Sequence, residues 1–151
     1  MITTLLTTVI GAERERVWRA LTLPAELIRW DDRIAALIEP APDYPKVGAP
    51  IRWRYRLGAV PIVLEDRPVE IEPEERLRST MALGLFRFDA TYKLVEEAGE
   101  AYRTRVSLKL ATSNSIPVVG GLLDRFAVRR VAAEYSDARM RSLQKWCENQ
   151  P

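Results

Sequence analysis

The feature that most constrains the fold is a run of segments in which apolar and polar residues alternate, followed by one long amphipathic segment. Five alternating segments with short turns between them predict five strands: Ile51–Leu57, Val60–Glu72, Arg76–Leu83, Phe86–Glu96 and Ala101–Thr112. An antiparallel meander of this kind is apolar on one face only, and that face needs a cover. The segment from Arg125 to Lys145 predicts the only helix long enough to cover it.

The residues before the meander predict one more strand and two short helices. Residues 2–10 alternate as a strand, and a first helix is predicted from Glu13 to Leu21. Pro24 suits the first position of a second helix that runs to Trp30. The predicted fold is therefore α+β. A curved antiparallel sheet of about six or seven strands wraps around a long C-terminal helix, in a single domain over residues 1–151.

Two residue types limit the chemistry. The chain has no histidine and one cysteine, Cys147. These counts exclude a Ser-His-Asp triad, a His-ligated metal and a thiolate cluster, so we expect no metal and no cofactor. Any catalysis would use a carboxylate, tyrosine, lysine, arginine or water. Cys147 lies in the last helical turn and is interpreted as structural or inert.

The first residues, the apolar runs and the single cysteine indicate the cellular compartment. The first residues carry no basic region and no cleavage site, and no apolar run reaches the length of a membrane span. A single cysteine fits a reducing compartment. We therefore expect a cytoplasmic protein without a membrane span.

A sheet that curves around a helix tends to enclose a cavity. We predict a pocket of roughly 300–1,000 Å³ between sheet and helix, the usual size of a small-molecule site. Its predicted lining is Trp53, Tyr55, Met81, Phe88, Tyr92, Thr104 and Val131. Alternation also turns Tyr102 inward, and Phe126 on the helix is a further candidate ligand contact. For each of these side chains, packing in a filled core is the alternative.

The pair Glu65 and Arg67 is a more specific candidate. If the strand register holds through Val69, both charges face the concave side, where Arg67 would contact a ligand and Glu65 would act as an acid or base. Tyr92 is the other candidate catalytic group. A bulge near Pro68 would instead move Glu65 and Arg67 to the surface, and this is the favoured interpretation.

Charged residues elsewhere favour a solvated surface. Seven arginines lie on the predicted outer face of the sheet: Arg52, Arg54, Arg56, Arg76, Arg78, Arg103 and Arg105. Asp66, Glu70 and Glu72 are predicted on the same face, so cross-strand ion pairs explain this outer arginine ladder better than nucleic acid does. The pair Asp31-Asp32 is interpreted as a solvated loop or helix cap.

The long helix presents apolar residues on two sides. Residues such as Tyr135 form one stripe, and residues such as Met140 and Leu143 form a second. Both stripes are interpreted as intramolecular, with a homodimer through the second stripe as the alternative.

Particular residues carry a resemblance to a known family. They are Ala12, Val17, Trp18, Leu21, Trp30, Val47-Gly48 and Gly120-Gly121, in the order strand, helix pair, strands and long helix. In this order the chain resembles the START-like (Bet v 1-like) helix-grip superfamily, and most closely the bacterial polyketide cyclase/dehydrase and lipid-transport group. The resemblance implies the fold given above and a hydrophobic ligand such as a lipid, a polyketide or an aromatic molecule.

Three functions remain open at this point. The first is binding of a hydrophobic or amphipathic small molecule, which requires a closed apolar cavity. The second is a cyclase or dehydratase, which also requires an inward ionisable group with an orienting partner. The third is a protein-interaction module, which requires an exposed apolar patch instead of a cavity.

Overall fold

The computed structural model describes residues 2–57, 59–84, 86–112 and 125–149, with the side chains of residues 57 and 125–127 excepted. The Gly120-Gly121 turn and the side chain of Phe126 therefore lie outside the described residues. Ten elements follow one another within the described residues. They are β1 (Ile2–Ile10), α1 (Arg14–Thr22), α2 (Pro24–Trp30), β2 (Ile34–Leu37), β3 (Ile51–Leu57), β4 (Val60–Glu72), β5 (Arg76–Leu83), β6 (Phe86–Glu97), β7 (Glu100–Thr112) and α3 (Arg125–Asn149).

The strands form one antiparallel sheet in the order β1-β7-β6-β5-β4-β3-β2. The chain thus has the α+β helix-grip fold, and the predicted antiparallel meander and the continuous C-terminal helix are confirmed. The sequence did not predict β2, because four residues are too few for a period-two pattern to stand out. This strand pairs with β3 at the sheet edge, where Ile34 lies opposite Tyr55.

Alternation places the core on the concave face of the sheet. In β5 every second residue is buried, and β6 and β7 show the same pattern beneath the helix. Among its described side chains, residues 128–149, helix α3 has one buried stripe where two were predicted. Its members recur at spacings of three and four residues: Val128, Ala132, Tyr135, Ser136, Met140, Leu143 and Cys147. Met140 and Leu143 therefore share a face with Tyr135 and do not form a second surface.

Strand β4 contains the irregularity that decides which of its charges face the core. Pro68 pairs with Ser79, but Glu70 pairs with Arg78, so Val69 is an extra residue on the β4 side. Proline has no N–H to donate to a neighbouring strand, and bulges are where strands accommodate it. Just before this bulge, Leu64, Asp66 and Pro68 are buried, whereas the odd-numbered residues between them are not.

The C-terminal half of α3 is joined to the start of the chain. The Gln144 side-chain amide donates to the Val9 carbonyl at 3.3 Å, and the Gly11 N–H donates to Glu148 at 3.0 Å. The Trp146 indole donates to Glu26 of α2 at 2.7 Å. These bonds fix the helix across the sheet. None of the helices in the described ranges combines the length and apolarity that a membrane crossing requires.

Candidate functional site

A cavity of about 560 Å³ lies between the sheet and the N-terminal half of α3. Its walls come from β3, β5, β6 and β7 on the sheet side, from α3, and from the loop after α2. The lining residues are Asp32, Arg33, Arg56, Leu83, Phe86, Phe88, Leu110, Val131, Ala132, Glu134 and Tyr135. This volume falls in the range of known small-molecule sites.

The cavity lining divides into an apolar part and a charged part. Leucine, phenylalanine, valine and alanine side chains form the apolar part, which suits hydrocarbon or aromatic surface. Four charged residues complete the lining: Asp32, Arg33, Arg56 and Glu134. Two of them are basic and two are acidic, so the charged part adds no net charge. Such a lining suits a ligand with an apolar body and at least one polar group.

Three aromatic rings pack at the inner end of the cavity. Tyr135 meets Phe88 edge-on with 5.7 Å between ring centroids, and its centroid lies 6.4 Å from that of Tyr55. Both geometries are favourable for aromatic pairs. Tyr135 is only 5% exposed. These contacts hold Tyr135 where it forms the inner wall of the cavity.

Behind this wall lies a buried ion pair that the sequence did not predict. Helix α2 ends at Trp30, whose indole N–H donates to the Ala20 carbonyl at 2.8 Å, and the next residue, Asp31, points into the core. Arg139 Nη1 lies 2.5 Å from Asp31 Oδ2, and their side chains are only 9% and 6% exposed. The guanidinium also stacks over Trp30 at 4.8 Å and donates to the Tyr92 hydroxyl. Asp31 lies at the C-cap of α2 but is not solvated, whereas Asp32 is exposed, so the interpretation of this pair as a solvated loop or helix cap is wrong only in the solvation of Asp31.

A second buried carboxylate lies beside this pair. Asp66 is 8% exposed, and its Oδ2 accepts a hydrogen bond from the Tyr44 hydroxyl at 2.7 Å. Its Oδ1 is buried, and no described residue donates a hydrogen bond to it. Burial raises the pKa of Asp66, and the Tyr44 hydrogen bond opposes that effect without cancelling it. The predicted place of Asp66 on the outer face is wrong, because the bulge at Val69 reverses the faces of β4.

The tyrosines around these carboxylates are held in the protonated form. Burial raises the pKa of Tyr44, Tyr92 and Tyr135, and it raises the pKa of Tyr55 to about 12. Their hydroxyls therefore remain hydrogen-bond donors at neutral pH. Because the Tyr92 oxygen accepts from Arg139, its own proton is free to be donated elsewhere.

Asp66, Tyr92 and Arg139 border a small void of about 10 Å³. The void is also bordered by Leu21, Tyr44, Leu77, Ser79, Met81, Ala90 and Tyr135. This is about the space of a single water molecule. Tyr135 borders both the void and the large cavity, so one aromatic side chain stands between them.

The predicted ligand contacts divide between these two spaces. Phe88 and Val131 line the cavity. Met81 and Tyr92 border the void instead. Trp53 and Tyr55 are buried in the core outside both linings, and the Thr104 hydroxyl donates to the Ala12 carbonyl at 2.7 Å.

Glu65 and Arg67 lie on the surface, as the favoured interpretation had it, whereas the inward position predicted for Tyr102 is wrong. Glu65 pairs with Arg52 at 3.2 Å and with Arg67 at 3.3 Å, so both Glu65 and Arg67 lie on the outer face of β4. The bulge at Val69 is the reason, as for Asp66. Tyr102 is 75% exposed, because the tip of the β6–β7 hairpin extends past the elements that cover the sheet.

Most of the outer arginine ladder has partners in the structure. Arg78 bridges Glu70 at 2.8 Å and Asp89 at 3.1 Å. Arg105 pairs with Glu97 at 2.7 Å. Cross-strand ion pairs thus account for these charges, although Arg56 lines the cavity and is not on the outer face alone. Cys147 is 3% exposed, and burial raises the pKa of its thiol to about 12.

A family model described as polyketide cyclase / dehydrase and lipid transport matches residues 1–148. The chain belongs to this family. The resemblance drawn from the sequence is thereby confirmed. No curated protein matches the sequence significantly.

Solved structures from several bacteria share the fold. A START superfamily protein from Mycobacterium smegmatis is 13% identical with a TM-score of 0.76, and the match covers 97% of each chain. The ZhuI aromatase/cyclase from Streptomyces sp. R1128 is 14% identical with a TM-score of 0.72, covering 97% of this chain and 93% of that one. Aha1 from Colwellia psychrerythraea, solved as a dimer, is 16% identical with a TM-score of 0.68, covering 99% and 98%. At these identities the similarity establishes the fold alone.

Proposed function

We propose that this protein binds a hydrophobic or amphipathic small molecule in the cavity between the sheet and α3. The observation that carries the proposal is the cavity itself, about 560 Å³ in volume with an apolar wall against β5–β7. A concave space of this size that opens to solvent and has an apolar wall with a few polar groups is the usual form of a small-molecule site. Lipids, polyketides and aromatic molecules have apolar surface that would pack against this wall, and the family description includes lipid transport.

The charged part of the lining favours an amphipathic ligand over a purely apolar one. Arg33 and Arg56 offer hydrogen-bond donors to an anionic or carbonyl oxygen, while Asp32 and Glu134 offer acceptors. A ligand with a carboxylate would place its chain against Phe86 and Leu110 and its charge toward the arginines. The single cysteine of the chain supports the cytoplasm as the compartment of this binding protein.

A cyclase or dehydratase is the second candidate, and one observation favours it. Asp66 and Tyr92 are buried ionisable groups with orienting partners, Tyr44 and Arg139, as acid-base catalysis requires. A ligand confined to the large cavity is separated from both groups by Tyr135. Binding is therefore the function that the geometry supports more directly.

The test of the binding proposal uses a fluorescent fatty acid, cis-parinaric acid, and a variant that fills the cavity. Val131→Phe adds an aromatic ring to the cavity wall, so we expect affinity to fall at least about tenfold, or about 1.4 kcal/mol of binding free energy. The matched control is Val63→Phe, the same change on the exposed outer face of β4. Titration by fluorescence measures both.

The outcomes separate the alternatives. Wild-type affinity in Val63→Phe and reduced affinity in Val131→Phe support the cavity as the site. Equal affinity in the two variants, or no binding by the wild type, contradicts it. Native mass spectrometry of the freshly purified wild type provides an independent measurement, since a co-purified lipid-like molecule is the expected result.

A further inference from the structure

Asp66 Oδ1 is an unsatisfied acceptor in the core of the protein. The oxygen is buried, and no described residue donates a hydrogen bond to it. The Ser79 hydroxyl is near enough to lower the pKa of Asp66, yet it lies outside hydrogen-bonding geometry to Oδ1. An acceptor left in this state costs about 1–3 kcal/mol of stability. Folded proteins pair nearly all such groups, so this one requires an explanation.

The charges nearby do not supply that partner. Among the described residues, Arg139 is the only cation that borders the void, and it already pairs with Asp31 and donates to Tyr92. Asp66 is therefore a carboxyl group without an ion-pair partner among the residues that surround the void. A second cation in this space would meet the guanidinium of Arg139 and be repelled. The missing partner is thus a neutral group that can donate a hydrogen bond. The hydroxyls of Ser79, Tyr92 and Tyr135 border the void but do not donate to Oδ1.

The void beside Asp66 and the ligand cavity share one lining residue. Tyr135 borders both spaces, and its ring is held by Phe88 and Tyr55 without a covalent or ionic restraint. Aromatic side chains change between staggered rotamers without rearrangement of the backbone. Displacement of the Tyr135 ring would extend the cavity to Asp66.

We propose that Asp66 is the polar subsite of the ligand cavity, that it binds a hydroxyl group of the ligand through Oδ1, and that Tyr135 is the side chain that the ligand displaces to reach it. This inference rests on the proposed binding function and specifies the ligand class as a hydroxylated apolar molecule, such as a phenol. A hydroxyl both donates and accepts, so it pairs with the ionised and with the protonated carboxyl. An amide or ketone oxygen only accepts and pairs with the protonated form alone.

The experiment compares p-cresol with toluene, two ligands of nearly equal shape that differ by one hydroxyl. We expect the wild type to bind p-cresol about tenfold more tightly than toluene, the effect of one hydrogen bond to a carboxyl group. Isothermal titration calorimetry measures both affinities. The quantity of interest is the ratio between them, because it cancels losses of binding that affect both ligands alike.

Two variants connect the ratio to Asp66. The double variant Tyr44→Phe/Asp66→Leu replaces both hydrogen-bonding partners with apolar groups of similar shape, which proteins tolerate better than the loss of one partner. In this variant we expect the preference for p-cresol to fall to about one. The matched control Tyr44→Phe retains the carboxyl group and is expected to retain the preference.

The outcomes distinguish this inference from the binding proposal. If p-cresol and toluene both bind the wild type and the ratio is the same in all three proteins, the subsite is wrong and the cavity stands. If neither ligand binds, this inference fails, and the titration with cis-parinaric acid decides the binding proposal separately. A crystal structure of the wild type with p-cresol keeps the inference testable should the double variant not fold. A hydroxyl bonded to Oδ1 with Tyr135 displaced supports it, and an ordered water on Oδ1 with Tyr135 in place overturns it.

Discussion

The outer face of the sheet and the space beneath α3 hold the same charged residue types in opposite surroundings. Outside, Arg78 bridges Glu70 and Asp89, and the three side chains are 37–40% exposed. Inside, Arg139 and Asp31 form a pair whose side chains are 9% and 6% exposed. Water screens the exposed ion pairs and replaces their hydrogen bonds when they break. No solvent replaces the buried pair of Arg139 and Asp31 when it breaks. Exposure therefore decides which of these arginines the fold depends on.

The largest effect is expected from the inner pair. Arg139→Leu leaves the Asp31 carboxylate buried without its cation, which should lower the free energy of unfolding by about 3–5 kcal/mol. The matched control is Arg141→Leu, on the same helix but exposed and paired only with Asp137, for which we expect less than about 1 kcal/mol. Urea unfolding measures both. Equal losses in the two variants would remove the distinction between inner and outer charges.

An intermediate effect is expected from Asp66, and it depends on pH. Because burial raises its pKa above the ordinary value of 3.8, the folded state binds the proton more tightly than the unfolded state. Its contribution to stability is therefore full below about pH 3.8 and is lost as pH rises through the folded pKa. The loss amounts to about 1.4 kcal/mol for each unit by which the pKa is raised.

The Tyr44→Phe/Asp66→Leu variant isolates this contribution. It has no carboxyl at this position, so its stability relative to the wild type should improve as pH increases from about 3.8 toward neutrality. Urea unfolding at several pH values gives the difference directly, and other carboxylates cancel because both proteins share them. Parallel pH profiles would show that Asp66 titrates in the folded protein as it does in the unfolded chain.

The smallest effect is expected on the outer face. Arg78→Ala removes two ion pairs at once, yet both are exposed to solvent, so we expect a loss of about 0.2–1 kcal/mol. The loss should shrink further when unfolding is repeated at a salt concentration of about 1 M, where the screening length is only about 3 Å. A larger loss of stability that salt does not change would show that Arg78 stabilises the fold as a buried charge does, like Arg139.

The sequence predicted the fold well because the fold depends on patterns along continuous segments. Period-two alternation identified every strand except β2, and helical spacing identified α3. The site depends on coincidences between distant segments. Arg139 and Asp31 are 108 residues apart, and no local pattern connects them. The sequence did carry one indication that Arg139 faces the core. Arg139 follows Tyr135 by four residues and thus lies near the same helical stripe.

The faces of β4 illustrate a second limit. A single extra residue reverses every side chain beyond it, so Val69 decides whether Glu65 or Asp66 enters the core. Pro68 signalled that a bulge was near, and it favoured the surface position that Glu65 occupies. The same bulge turns Asp66 into the core. The sequence did not predict this, because carboxylates are rarely buried without a cation.

The hydrogen bonds from α3 to Val9 and Gly11 have a consequence for how the chain folds. The bond to Val9 spans 135 positions of the sequence, and the bond to Gly11 spans 137. Strand β1 also pairs along its whole length with β7. Contacts between such distant segments slow folding, because a long loop must close before they form. During synthesis the uncharged segment ITTLLTTVI waits for both partners. We therefore expect β1 to stay unpaired in the nascent chain until β7 and α3 are made, and an unpaired strand of this composition is prone to aggregate.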